Sequence, residues 1–361
     1  MRPIVRRTLR LLLVGLALIA VGFVVLPTGR YLLRGAWEES RILLRRRSIA
    51  ALVADTSVPP DTRARLRLVL DARRFAVEQL GLRARKSFST YAKVDHDTLV
   101  LVLTAAFRDR LEPLRWWFPI VGDVPYKGFF NFALARRTRD QLEQRGFDTS
   151  LGASSAFSTL GWFNDPLLST TLRGDTLDLS STVIHELTHN TLFVSSQVEF
   201  NESFASFVGA RGAAAFFRSR GGERAAERVE EEWADDKLLS SFWKMLSHAV
   251  DSAYAEWPSD SAARVRARDS VFAHARRVLT EDLAPVVKTI PRANLERMRL
   301  NNAVLLARRA YARDLWVFDE VFRASGNDIR RSIQQIVALT QDATDPFEAM
   351  RSWLGGKKIL P

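Results

Sequence analysis

The sequence has no cysteine. That excludes a disulfide, a thiol nucleophile, a thiolate-held metal or iron–sulfur site, and a lipid-modified cysteine anchor. Histidine is scarce, with five in 361 residues, so two on one helix face stand out. There is no internal repeat and no low-complexity tract. Disorder is excluded on composition, because 47% hydrophobic against 26% charged residues supplies a real core. The net charge is +12, yet beyond the first fifty residues no long basic run is free of acidic neighbours. A nucleic-acid groove is therefore not expected.

The charge has an address. Residues 1–50 hold ten Arg, two Glu and no Lys, which places +8 of the +12 there. Within them runs an uncharged stretch of 19 residues, 11–29, mostly Leu, Val, Ala, Ile and Gly. As a helix it reaches about 28 Å, close to a bilayer's hydrocarbon thickness. Arg2, Arg6, Arg7 and Arg10 precede it; Arg30 and Arg34 follow. The alternative is a cleaved signal peptide, but no small-x-small cleavage site follows Val24-Val25-Leu26-Pro27. The reading is an uncleaved transmembrane signal anchor, with 1–10 as a basic cytoplasmic N-terminus and the rest outside the cytoplasm.

Residues 30–90 read as a helical stalk and lead-in broken at Pro59-Pro60, and 91–361 as the main domain. Thr98–Leu103 is the best strand candidate, and Trp116–Gly122 reads as loop or edge strand. Lys127–Arg145 reads as helix stopped by Gly146. Short strands and turns are expected over 147–173, and nearly unbroken helix from Asp178. The fold class is α+β, predominantly helical, with a small sheet ahead of a helical body.

The chemistry-bearing segment is His185-Glu186-Leu187-Thr188-His189, inside the apolar run Val183–Val194. Residues four apart share a helix face, so both imidazoles point to one place. Two nitrogens can then reach one zinc ion at about 2.0–2.1 Å. Glu186 is turned about 100° from His185, beside the ion without competing for it, where it can take a proton from water held there. A chance H-E-x-x-H is expected in well under about one chain in a hundred of this composition, so two incidental surface histidines are the weaker account.

A third donor is needed for a catalytic zinc site with one open position. Glu202 is the candidate, in Phe200-Asn-Glu-Ser-Phe-Ala-Ser-Phe-Val-Gly209. With a bend between Val194 and Glu199, His189 and Glu202 face each other across a helical hairpin. Ala205, Ser206 and Gly209 share the Glu202 face and are small enough to let the helices close.

These two segments, H-E-L-T-H and N-E-S-F-A, resemble those of the gluzincin metallopeptidases. The gap from the second His to the Glu, 12 residues, is shorter than in the alanyl aminopeptidase branch. The closer resemblance is to a bacterial family of predicted aminopeptidases. It runs over most of 40–340 through Arg74-Phe-Ala76, Phe118-Pro-Ile-Val-Gly122, Val124-Pro-Tyr-Lys-Gly128, Ser158–Thr170, the zinc segment and Asn301-Asn-Ala303. It implies His185, His189 and Glu202 as zinc ligands and Glu186 as catalytic base. The chain departs from that family's pattern in lacking Cys near Trp117 and Asp123, and many relatives look like lipoproteins where this chain has a plain hydrophobic segment.

Other residues carry weaker signals. Asn201 either steadies the ligand shell or caps a helix. Tyr126, Tyr254, Tyr311 and His248 are candidates for stabilising a tetrahedral oxyanion. Ser158–Thr170, with Gly161, Trp162 and Asp165, either pairs with substrate as an edge strand or is a packing loop. Asp165 is a candidate for binding a substrate ammonium or a turn residue before proline.

The expected function is a zinc-dependent peptidase, probed first as an aminopeptidase, in the bacterial inner membrane as a single-pass protein with a periplasmic domain. Its partners would be a peptide substrate and, through 11–29, the membrane, with no nucleic acid and no obligate protein partner. A zinc endopeptidase of the same fold and a non-catalytic tethered scaffold are the alternatives.

Overall fold

The computed structural model describes residues 27–94, 100–118, 122–154, 166–309 and 313–357, with residues 14, 24 and 25 besides. Most of the apolar segment 11–29 lies outside the described residues, as do Gly161, Trp162, Asp165 and Tyr311. Among the described residues no helix is long and apolar enough to cross a membrane. The described chain is predominantly helical with three small sheets.

The chain begins with α1 (Pro27–Leu44), then β1 (Arg47–Ser48), α2 (Ile49–Ala54) and α3 (Pro60–Glu78). Proline at the first turn of α3 suits its start, where its missing N–H costs nothing. Expected as part of a lead-in, α3 is a wall of the core. Its Leu66, Val69, Ala72 and Ala76 are fully buried in the cluster that holds Ile184 and Phe204.

The middle section supplies the strands: β2 (Thr90–Ala92), β3 (Val100–Ala106), β4 (Trp116–Phe118), β5 (Gly122–Val124), β6 (Tyr126–Phe129), then α4 (Phe132–Gln144), β7 (Asp148–Ser154) and β8 (Leu167–Leu168). One sheet has the order β6-β3-β7, all antiparallel. Another joins β1, β2 and β8, with β2 and β8 parallel. A two-stranded ribbon pairs β4 with β5 and sets Trp117 opposite Asp123. Residues 127–129, expected as the start of a helix, belong to strand β6 instead. This strand completes the β3 edge with Leu101 opposite Phe129 and Thr104 opposite Tyr126. The helix starts only where Asn131 accepts a hydrogen bond from Leu134 N at 3.0 Å. Gly146 stops it in the left-handed region, φ +84°.

The rest is helical: α5 (Ser169–Leu172), α6 (Thr176–His189), α7 (Val198–Ser219), α8 (Glu223–Ala255), α9 (Ser261–Arg277) with a π-helical continuation Val278–Leu283, α10 (Arg292–Arg297), α11 (Asn302–Arg309), α12 (Leu315–Ala324), α13 (Ile329–Thr340) and α14 (Pro346–Lys357). The main core packs α3, α6 and α7 against α12 and α13. At its centre Phe318 lies 6.0, 6.1 and 5.6 Å from the rings of Phe200, Phe204 and Phe207, so α7 is fastened by aromatic contacts behind its Glu202 face. A second core joins the far half of α8 to α9–α11 through Phe242, Leu246, Phe272 and Leu305. The β3 sheet is tied to it by a buried ion pair, Asp148 with Arg268, and by Asn302. Asn302 donates from its backbone to Asp148 at 2.9 Å and from its side chain to Phe107 O at 2.7 Å.

Candidate metal centre

The centre is built on the hairpin of α6 and α7. Helix α6 starts at Asp175, whose carboxylate accepts from Leu177 N at 2.7 Å. Val183, Ile184, Leu187 and Thr188 face the core, and His185 and His189 come round together on the partly open side. Their rings lie 5.0 Å apart at 79°, with Nε2 atoms 3.2 Å from each other. Glu186 is partly buried, one step round the same helix.

The bend that follows is held by Asn201. Val194 N donates to its Oδ1 at 2.9 Å, and its Nδ2 donates to Val194 O at 2.8 Å. Asn201 is only 3% exposed. It does not cap α7, whose N-cap residue is Gln197. It closes the eight-residue connection onto the first turn of α7 and so sets where the next residue, Glu202, stands. A second tie went unread in the sequence: Arg313 N donates to Ser203 Oγ at 3.1 Å, and its guanidinium pairs with Glu199 at 2.6 Å. Both grip the turn of α7 that carries Glu202. These partners lie more than a hundred residues apart in sequence, and no local pattern announces them.

Glu202 closes the triangle. Its Oε2 is 3.4 Å from His185 Nε2 and its Oε1 3.6 Å from His189 Nε2. Three donors of a tetrahedral zinc ion at about 2.0–2.2 Å stand about 3.3–3.6 Å apart. The three observed separations, 3.2, 3.4 and 3.6 Å, fit that triangle. Two imidazoles and one carboxylate are also a donor set zinc accepts. Among the described residues these three form the group able to hold a metal ion.

The helices approach closely because glycines of α7 face α6. A Cβ added at Gly209 would sit 3.0 Å from Ser181 O and 3.2 Å from His185 Cβ. At Gly212 it would meet Ile184 Cγ2 at 3.0 Å and Leu80 Cδ1 at 2.8 Å. Gly209→Ala is therefore expected to destabilise. Overpacking costs about 1–3 kcal/mol, more than the helix-propensity gain of about 1 kcal/mol. It should also weaken metal binding, because the strain falls on His185. Urea unfolding and metal dialysis check this beside Gly355→Ala, where the added Cβ meets nothing within 4 Å.

Electrostatics prepare the donors. Burial presses the His189 imidazole down to about 4, the neighbouring His185 adds to the push, and Glu202 opposes it. Burial pushes the Glu202 carboxyl up, but the hydrogen bond from His185 and the two imidazoles outweigh it and hold the group below the ordinary carboxylate range. At neutral pH His189 thus offers a lone pair and Glu202 a charge.

The same shifts set a pH dependence for the metal-free protein. Between about pH 6.5 and about 4 the unfolded chain binds a proton at His189 that the folded chain refuses. Stability then falls as pH drops through that window, and the depressed Glu202 adds loss in the same direction below it. Urea midpoints across that range check this, and His189→Gln should flatten the slope.

Residues 30–349 match the protein family described as "Putative aminopeptidase". The chain belongs to this family. No curated protein and no solved structure matches the chain. Family membership supports peptide-bond hydrolysis as the coarse activity and a peptide as substrate.

The remaining sequence candidates fall elsewhere. Tyr254 donates its hydroxyl to Arg108 O at 2.9 Å and accepts from Asn302 Nδ2 at 2.7 Å, in the network that ties the β3 sheet to the second core. Tyr126 lies on β6 and is 47% exposed. His248 is exposed on α8. Neither tyrosine has a hydrogen bond to the His185–His189–Glu202 group.

Proposed function

We propose that this family member is a zinc-dependent aminopeptidase. The observation that carries the reading is the His185–His189–Glu202 triangle, with donor separations of 3.2–3.6 Å and a second carboxylate, Glu186, on the helix of the two histidines. A zinc ion held by these three side chains supplies Lewis acidity toward a peptide carbonyl and toward water. The two imidazoles give neutral lone pairs, and Glu202 gives the negative charge that such an ion needs. Glu186 takes the proton of the attacking water and passes it to the leaving amine nitrogen. Asn201 and the Arg313–Glu199 pair keep Glu202 in register with the histidines while substrate comes and goes.

The apolar segment 11–29, flanked by arginines, supports a single-pass anchor that holds the domain on the periplasmic side of a bacterial inner membrane. The test of the activity is a peptide panel with free and acetylated amino termini, given to zinc-loaded full-length protein in detergent. Stepwise release of the first residue from free peptides alone is the expected result. Cleavage inside acetylated peptides would make it an endopeptidase, and no cleavage of any peptide would leave the tethered scaffold.

A further inference from the structure

Away from the metal centre, one end of the domain gathers exposed aromatic side chains around a cation that has no carboxylate partner among the described residues. Helix α1 is described from Pro27, inside the apolar segment 11–29. Tyr31, on its first turn, packs its ring 5.3 Å from Phe118 of β4 and 6.4 Å from Phe129 of β6. This fastens the β4–β5 ribbon and the β6 edge to the place where the chain would leave a bilayer. Side chains alternate along β4, so while Phe118 turns inward Trp117 turns out and is 65% exposed. Tyr126, the first residue of β6, is 47% exposed.

Next to Tyr126 on β6 lies Lys127. Its ammonium sits 5.0 Å from the Tyr31 ring and 5.6 Å from the Phe129 ring. Partial burial makes its charge harder to keep, which lowers its pKa. Among the described residues it has no carboxylate partner. Arg30 and Arg34 also stand on α1; Arg30 is exposed, and Arg34 pairs with Glu38 at 2.5 Å. Trp and Tyr with Lys and Arg make up the side-chain mixture that settles at the boundary between hydrocarbon and headgroups, and basic groups there are drawn to anionic lipid.

We propose that this end of the domain rests on the anionic bilayer surface, with Trp117 and Tyr126 in the headgroup boundary and Lys127 facing lipid phosphates. The inference rests on the anchor reading of residues 11–29. The occupant is argued from that continuity and from charge complementarity, since Arg30 and Lys127 would face a surface rich in phosphate. Docking of this kind fixes how the metal centre stands relative to the membrane, which a single tether alone leaves free.

The lack of native cysteine makes the test clean, because one introduced cysteine takes an environment-sensitive fluorophore without background. Asp123→Cys labels the ribbon opposite Trp117, Asp342→Cys labels the distant helical body, and Val14→Cys labels the anchor. Each full-length variant is placed in nanodiscs containing phosphatidylglycerol, with quencher-bearing lipids. The expected result is blue-shifted, quenched emission at 123 and 14 and water-like emission at 342, with the 123 signal weaker in all-phosphatidylcholine discs. Quenching at 14 with water-like emission at 123 would overturn the docking while the anchor stands. Water-like emission at 14 would remove the anchor reading itself. A 123 signal indifferent to lipid charge would overturn the role given to Lys127.

Discussion

Glu186→Gln is expected to keep its zinc and lose its peptidase activity. Glu186 is not one of the three donors, and glutamine has nearly its size, so the His185–His189–Glu202 triangle has no reason to move. What disappears is the base. General-base catalysis by a positioned side chain contributes about 10²–10⁴-fold, so kcat should fall by at least that range while KM changes little. Metal content and steady-state kinetics on the same preparation check this. Activity within tenfold of wild type would take the role of base away from Glu186.

Glu202→Ala is expected to do the reverse and strip the ion. It removes the one carboxylate of the set and leaves two imidazoles whose Nε2 atoms stand 3.2 Å apart with no anion between them. Loss of groups that only support a ligand lowers metal affinity about 10–100-fold, and loss of a ligand should exceed that. The fold of the metal-free protein should survive. Burial works against the Glu202 charge, and α7 is held instead by Phe200, Phe204 and Phe207 on its other side and by Asn201 at its start. The checks are competitive zinc titration against a chromophoric chelator and a circular dichroism spectrum. Wild-type zinc affinity in Glu202→Ala would contradict the proposed ligand set.

The metal centre was the most legible part of the sequence, because its logic is short-range. The four-residue spacing of His185 and His189 dictates a shared helix face, and the small residues at 205 and 209 announce a close neighbour across the hairpin. The close approach of Gly209 to His185 is the physical form of that pattern. Elsewhere long-range packing decided. Lys127–Phe129 was read as helix from its neighbours, but it pairs with β3 through contacts a local window cannot contain. The Asn131 cap was the available signal for where α4 begins. The apolar stripe Leu66, Val69, Ala72, Ala76 was masked by the arginines around it, so a core wall looked like a lead-in. Tyr254 shows the limit most plainly. Its partners, Arg108 and Asn302, lie 146 and 48 residues away, and no pattern near Tyr254 points to either.

The central claim is that His185, His189 and Glu202 together hold a zinc ion. Elemental analysis of purified full-length protein after dialysis against zinc-containing, then metal-free buffer tests it most directly, with His189→Ala carried alongside. The account predicts close to one zinc ion per chain in wild type and almost none in the variant. Wild-type protein that emerges without stoichiometric metal, or a His189→Ala protein that holds as much as wild type, would contradict it.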